Sequence, residues 1–229
     1  MTTRLDLMNI LRQPHQPRVW TTRMLARLLD SPPATTSRVI SWAAEGNVLK
    51  PVREGVYLNA MAFPEVKLAE ASSMIRSGAI VSLQSVLGDA GVLNNPTLDV
   101  TCVLATTAPS TSGGTVKSMQ GSNFIFRRIS PKMLVVGELE DRFEQGVRYL
   151  RATPEKALLD WLVLGLSPHS TMTMPPCHDI DIDELDRGRL ERLASAMDLE
   201  DALEIFLKEL DRVTVEANPY SLGVSEMGI

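Results

Sequence analysis

The chain has 229 residues with 23 Lys/Arg against 28 Asp/Glu, a formal net charge of −5, and 44% apolar and 22% charged side chains. That balance is ordinary for a soluble globular protein, long enough to bury a core in one large domain or two small ones. No run of about 18 apolar residues is present, which excludes a membrane-spanning helix. The first residues, MTTRLDLMNILRQ, mix charges into the apolar positions and lack a signal-peptide core. Cys102 and Cys177 are the only cysteines. Two give no disulfide framework and suit the reducing cytoplasm.

The charge is unevenly placed. Residues 1–58 hold eight Lys/Arg against four Asp/Glu, a local +4, and the remainder holds 15 against 24, or −9. A basic head on an acidic body is the asymmetry of a nucleic-acid-binding module joined to a domain with another task.

Within the head, Leu5, Leu7, Met8, Ile10 and Leu11 predict a first helix, stopped by Gln-Pro-His-Gln-Pro at 13–17. Val19 and Trp20 read as a short extended segment. Thr21 or Thr22 caps a second helix with Met24, Leu25, Leu28 and Leu29 on one stripe and Arg23 and Arg27 pointing elsewhere. Ser31-Pro32-Pro33 turns the chain into a third helix from about Pro33 to Glu45. Thr36, Val39, Ile40 and Ala43 fall on one side of it, with Trp42 at the edge, and Ala34, Ser37, Arg38, Ser41 and Glu45 fall on the other. Gly46 is expected to supply a left-handed stop. Val48 to Leu58 alternates around Arg53-Glu54-Gly55, a hairpin that carries Lys50 and Arg53.

This order of elements is that of a winged helix-turn-helix. Small polar side chains plus one arginine suit the floor of a major groove, because they allow close approach and leave Arg38 for a guanine edge or a phosphate. The expected DNA-binding residues are Arg23, Arg27, Thr35, Ser37, Arg38, Ser41, Lys50 and Arg53. The same pattern also fits a three-helix packing unit with a solvated polar face, or a winged helix used for protein contacts.

In the body, 64–229, Phe63-Pro64 opens a predicted helix to about Arg76, followed by a short strand at Ala79–Val81 and a brief helix ending near Gly91. Leu98–Ala105, Val116, Phe124–Ile129, Met133–Val136 and Gly146–Arg151 are predicted strands, with Thr106–Gly114 a loop. Thr153-Pro154-Glu155 is a strong helix start, and the apolar run that follows reads as a helix buried on all sides. Ser167–Ile182 reads as an internal linker. Two amphipathic helices, about Asp183–Met197 and Leu199–Leu210, precede a loosely held tail from Asn218. The fold class is α/β (α+β): a winged helix at 1–63 and a mixed α/β domain at 64–229.

Three stretches, REGVYLN (53–59), GAIVSLQSVLGDAGVL (78–93) and RATPEKALLDWL (151–162), resemble the AbiEi family of antitoxins from type IV toxin–antitoxin systems of the abortive-infection kind. The resemblance spans most of residues 18–166. It implies an N-terminal domain that binds operator repeats and represses its own operon in phage defence. It also implies a C-terminal domain that counters a nucleotidyltransferase-like toxin, with or without a stable complex. Some relatives carry a basic patch on that second domain. Here Lys117, Arg127, Arg128, Lys132, Arg148 and Arg151 are the only grouped cations that could form one, within an acidic body.

Several polar clusters admit a catalytic or metal-binding reading. Lys156 and Asp160 are four apart and read as an ion pair along one helix face, with Glu155 as first-turn acid, in preference to a nuclease centre. Cys177, His178, Asp179 and His169 match no structural zinc spacing. The acidic run at 179–186 lacks the glycine and terminal glutamate of an EF-hand, and Ser112-Gly113-Gly114-Thr115 lacks the Gly-Lys-Ser/Thr order of a P-loop. The expectation is a cytoplasmic, non-enzymatic repressor–antitoxin with no catalytic residue, cofactor or metal, and with double-stranded operator DNA and a toxin as partners. The alternative is a winged-helix regulator whose body binds a small ligand and has no toxin partner.

Overall fold

The computed structural model describes residues 4–106, 113–134, 138–144 and 147–217; side chains at 141–148 and 216–217 are outside the description. The expected loop at 107–112, the strand end at 135–136 and the tail from Asn218 lie outside the described residues.

The head is built as its sequence dictates. Helix α1 (Arg4–Leu11) places Leu7 and Leu11 inward. Strand β1 (Val19–Thr21) leads into α2 (Thr22–Leu29), whose first turn is capped by Thr21 Oγ1 accepting from the Met24 amide at 3.2 Å. Helix α3 (Pro33–Glu45) begins on a proline, whose missing N–H is no loss at that position. Strands β2 (Leu49–Arg53) and β3 (Val56–Asn59) form the wing, and the small sheet has the antiparallel order β1-β3-β2. Gly55, at φ 81°, makes the tight turn between them. The stop after α3 differs from expectation in one residue: Gly46 sits at φ −81°, and Asn47 takes the left-handed conformation at φ 52°. Asn tolerates that region because its short amide bonds locally.

The wing is buried on both faces. Trp20 and Leu49 pack with Leu7, Leu11, Leu25, Leu29, Ile40 and Ala43, with Tyr57 beside them, in the core of the head. Val19, Val52, Val56 and Leu58 instead join the large cluster of the body, alongside Val66 and Ala71. The outer strand is tied down as well, since the Val52 and Pro51 carbonyls accept from the Met119 amide (2.7 Å) and Gln120 Nε2 (2.6 Å). Head and body therefore share a core across residue 63.

The body is organised on a six-stranded sheet of order β6-β7-β5-β4-β9-β8. Its strands are β4 (Ala79–Val81), β5 (Val100–Ala105), β6 (Gly114–Lys117), β7 (Asn123–Ile129), β8 (Leu139–Glu144) and β9 (Val147–Ala152). The β5–β7 and β4–β9 pairs are parallel and the others antiparallel. Between β3 and β4, the helix expected over 64–76 is reduced to a 3-10 turn, Leu68–Ala71, and one α turn, α4 (Ser72–Ile75). Here Glu70 is drawn inward to Arg18, a contact that local periodicity does not report. Helix α5 spans Gln84–Asp89, and Pro131–Met133 is a 3-10 turn where a strand was expected to begin. Helix α6 (Pro154–Leu166) is buried along most of its length, with Thr153 as its cap. Helices α7 (Arg187–Ala196) and α8 (Glu200–Ala217) follow, α7 starting later than predicted because Ile182–Glu184 forms a 3-10 turn. Among the described residues no helix is long and apolar enough to cross a membrane.

The stretch expected as a linker, 167–182, lies against the body. Met172 and Met174 pack on its core, Trp161 Nε1 donates to the Thr173 carbonyl at 3.0 Å, and Ile180 bridges to Leu93. Gly165 makes room for this strap: a Cβ there would lie 2.9 Å from the Met174 Cα and 2.7 Å from its sulfur. Gly165→Ala should therefore destabilise the protein in urea unfolding, although Ala is favoured over Gly by about 1 kcal/mol in an unencumbered helix interior. A more stable variant would mean the strap does not dock there.

Candidate nucleic-acid interface

The turn between α2 and α3 is held by one buried hydroxyl. Thr36 Oγ1 bonds to the Pro32 carbonyl (3.2 Å) and the Ser31 carbonyl (3.3 Å) and lies 3.0 Å from Ser31 Oγ. With Thr36, Ile40 and Ala43 turned inward, Ala34, Ser37, Arg38, Ser41 and Glu45 are left exposed along the opposite face of α3. Arg38 makes only a long contact, 3.5 Å from Nε to the Ala34 carbonyl, so its guanidinium is available to a ligand. Thr35 is half-exposed in the first turn.

The wing tip is joined to the start of α2, since the Thr22 amide donates to the Gly55 carbonyl at 3.0 Å. This brings the backbone of exposed Arg23 beside the tip that carries half-exposed Arg53; Arg27 is exposed one turn further along α2. Among the described residues, Arg23, Arg27, Arg38 and Arg53 form no salt bridge with the protein.

Lys50 departs from the expectation. Its ammonium pairs with Glu65 at 2.7 Å, at the junction with the body, and holds that carboxyl below the usual glutamate range. Lys50 therefore meets a phosphate only in competition with Glu65, a competitor that the four arginines lack. Arg4, counted in the sequence only as charge, is the residue that sequence reasoning did not place. Its guanidinium lies 5.1 Å from the ring centroid of half-buried Trp42, so α1 adds a cation beside α3.

The other constellations are accounted for locally. Glu155 Oε1 accepts from the Asp186 amide (3.1 Å), Lys156 pairs with Asp160, and Ser82 Oγ donates to Asp160 at 2.7 Å. Asp179 accepts from the Asn95 amide and side chain at 2.9 and 2.7 Å. Among the described residues no group of three or more His, Cys, Asp or Glu is arranged to hold a metal ion. Of the grouped body cations, Arg151 bonds Asp89 at 2.8 Å, and Lys67 joins them at 3.3 Å. Burial pushes the Asp89 carboxyl up, but Arg151 and then Lys67 outweigh it and hold it below the usual range.

No protein-family model and no curated relative matches the chain. Among solved structures, the crystal structure of the RV2827C protein from Mycobacterium tuberculosis is similar at a TM-score of 0.46 and 15% sequence identity, covering 86% of this chain and 75% of that one.

Proposed function

We propose that the chain is a DNA-binding autorepressor and antitoxin of a type IV toxin–antitoxin system. The winged helix binds double-stranded operator repeats, and the α/β body counters a nucleotidyltransferase-like toxin in the cytoplasm. The observation that carries the DNA half is the exposed face of α3, small and polar around an Arg38 without a salt bridge, in the same head as exposed Arg23 and the Arg53 wing tip. The antitoxin half rests on the resemblance centred on RATPEKALLDWL, at α6.

In a mobility-shift titration with the chain's own upstream DNA, Arg38→Ala should weaken binding by about 1–3 kcal/mol. Arg53→Ala should lower the slope of log affinity against log salt by about one. The double variant should lose the shift while its melting curve stays unchanged, because neither side chain forms a salt bridge and Arg38 makes only a long contact within its own helix. Undiminished affinity in the double variant would remove the assignment of this face. Co-expression with a nucleotidyltransferase encoded beside the chain tests the other half: no such neighbour, or growth that the full chain fails to rescue, rules out the antitoxin role.

A further inference from the structure

Residues 171–176, Thr-Met-Thr-Met-Pro-Pro, form the middle of the strap that follows α6 and belong to no helix or strand. Among the described residues, two side-chain hydrogen bonds reach them from the body: Trp161 Nε1 donates to the Thr173 carbonyl at 3.0 Å, and Arg127 Nη1 donates to Thr171 Oγ1 at 3.3 Å. Backbone bonds anchor the flanks instead, from the Ser170 amide to the Ser167 carbonyl and from the Asp181 amide to the Val92 carbonyl.

The apolar grip of this segment comes from two sulfur-bearing side chains. Met172 and Met174, two residues apart, both pack on the core of the body, whereas Thr171 and Thr173 are exposed. Met174 sits in the notch that Gly165 leaves in α6, where a Cβ would lie 2.7 Å from its sulfur and 2.9 Å from its Cα. One more heavy atom between that sulfur and the helix has no room. Both methionines are nonetheless only half-buried, so a molecule as small as a peroxide reaches them.

We propose that the strap is an oxidation-sensitive clasp, released from the body when a peroxide converts Met172 and Met174 to their sulfoxides. Hydrogen peroxide transfers one oxygen atom to each thioether sulfur, which is oxidised, and leaves as water. The product is polar at an atom that was packed on apolar surface, and its oxygen keeps hydrogen bonds to water only if the strap lifts. The nearby thiol is less suited to this chemistry. Burial first, and then the Glu209 charge, push the Cys177 thiol above its ordinary value, whereas a thioether reacts without ionising. Methionine sulfoxide reductases return the sulfur to its starting state, which makes the clasp reversible. The inference does not depend on the operator-binding or antitoxin reading.

The test follows tryptophan emission of the full chain during treatment with hydrogen peroxide, with peptide mass spectrometry to locate the sulfoxides. Oxidation at 172 and 174 should shift the emission to the red, as Trp161 loses the Thr173 carbonyl and meets water, and a methionine sulfoxide reductase should reverse the shift. Met172→Leu with Met174→Leu keeps apolar volume without an oxidisable sulfur. That variant should show no shift, although Met74 and Met119, 37% and 64% exposed, still oxidise in it. Sulfoxides at 172 and 174 without a shift overturn the proposal, as does an equal shift in the double variant. So does oxidation of Met74 and Met119 that leaves the strap methionines untouched. The reductase arm uses the unmodified sequence and stays decisive if the double variant does not fold: a shift that the reductase fails to reverse also overturns the clasp.

Discussion

Arg18→Ala should lower the unfolding free energy by about 3–5 kcal/mol, seen as a fall in the urea midpoint. Arg18 and Glu70 are 1% and 2% exposed, and their bond is a two-point fork, Nε–Oε2 at 2.7 Å and Nη2–Oε1 at 2.9 Å. The guanidinium also donates to the Pro64 and Glu65 carbonyls at 2.8 and 3.1 Å, and Glu70 Oε1 accepts from the Lys67 amide at 2.8 Å. Removing the arginine leaves a carboxylate in the core with one backbone donor, and the loss comes chiefly from that stranded charge. Arg18→Met combined with Glu70→Leu should therefore recover most of the stability, since an apolar pair of similar volume strands nothing. A single-variant loss under about 1 kcal/mol would show that this junction opens to water.

Asp160→Ala is expected to be equally severe, about 3–5 kcal/mol, by the same logic in a different place. Lys156 and Asp160 are 0% and 1% exposed within α6, and Ser82, at the end of β4, completes the cluster. Burial pushes the Asp160 carboxyl up, opposed by the Lys156 charge and by the bonds from Lys156 and Ser82. Without the carboxylate, the ammonium has no acceptor in an otherwise apolar helix. Ser82→Ala should cost less, about 1–3 kcal/mol, because it removes one neutral donor and leaves the ion pair in place. Chemical denaturation of the two variants orders them; a mild Asp160→Ala would indicate that Lys156 reaches solvent.

What was legible in the sequence follows from how local its causes are. The bounds of α3 come from Pro33 and the Gly46-Asn47 stop, the hairpin from Glu54-Gly55, and the start of α6 from the Thr153 cap, all decided within a few residues. The partition of α3 into an inner and an outer face followed from helical spacing, which is why its exposed side chains could be named in advance. Strand β8 escaped notice because an edge strand pairs on one side only, and Leu-Glu-Asp-Arg-Phe-Glu carries no apolar alternation. The strap at 167–182 has the proline-rich composition of a loop, yet it docks through Met172, Met174 and the hydrogen bond from Trp161. The pairing of Lys50 with Glu65 and of Arg18 with Glu70 joins residues 15 and 52 positions apart, beyond the reach of any local pattern. For the interface, this means the helix face was readable and the availability of each cation was not.

The double-sided burial of the wing bears on how such a protein can diversify. A small head that packs on only one face can be exchanged between proteins as a cassette, keeping its own stability wherever it is spliced. Here a crossover at residue 63 would strip Val19, Val52, Val56 and Leu58 of their cover and separate Arg18 from Glu70. Recombinants that survive must inherit the segment through Glu70 together with the head, or arise by point changes on α3 alone. Sequence change in descendants of this chain is therefore expected to accumulate at exposed Ser37, Arg38 and Ser41, while the valines beneath the wing stay apolar.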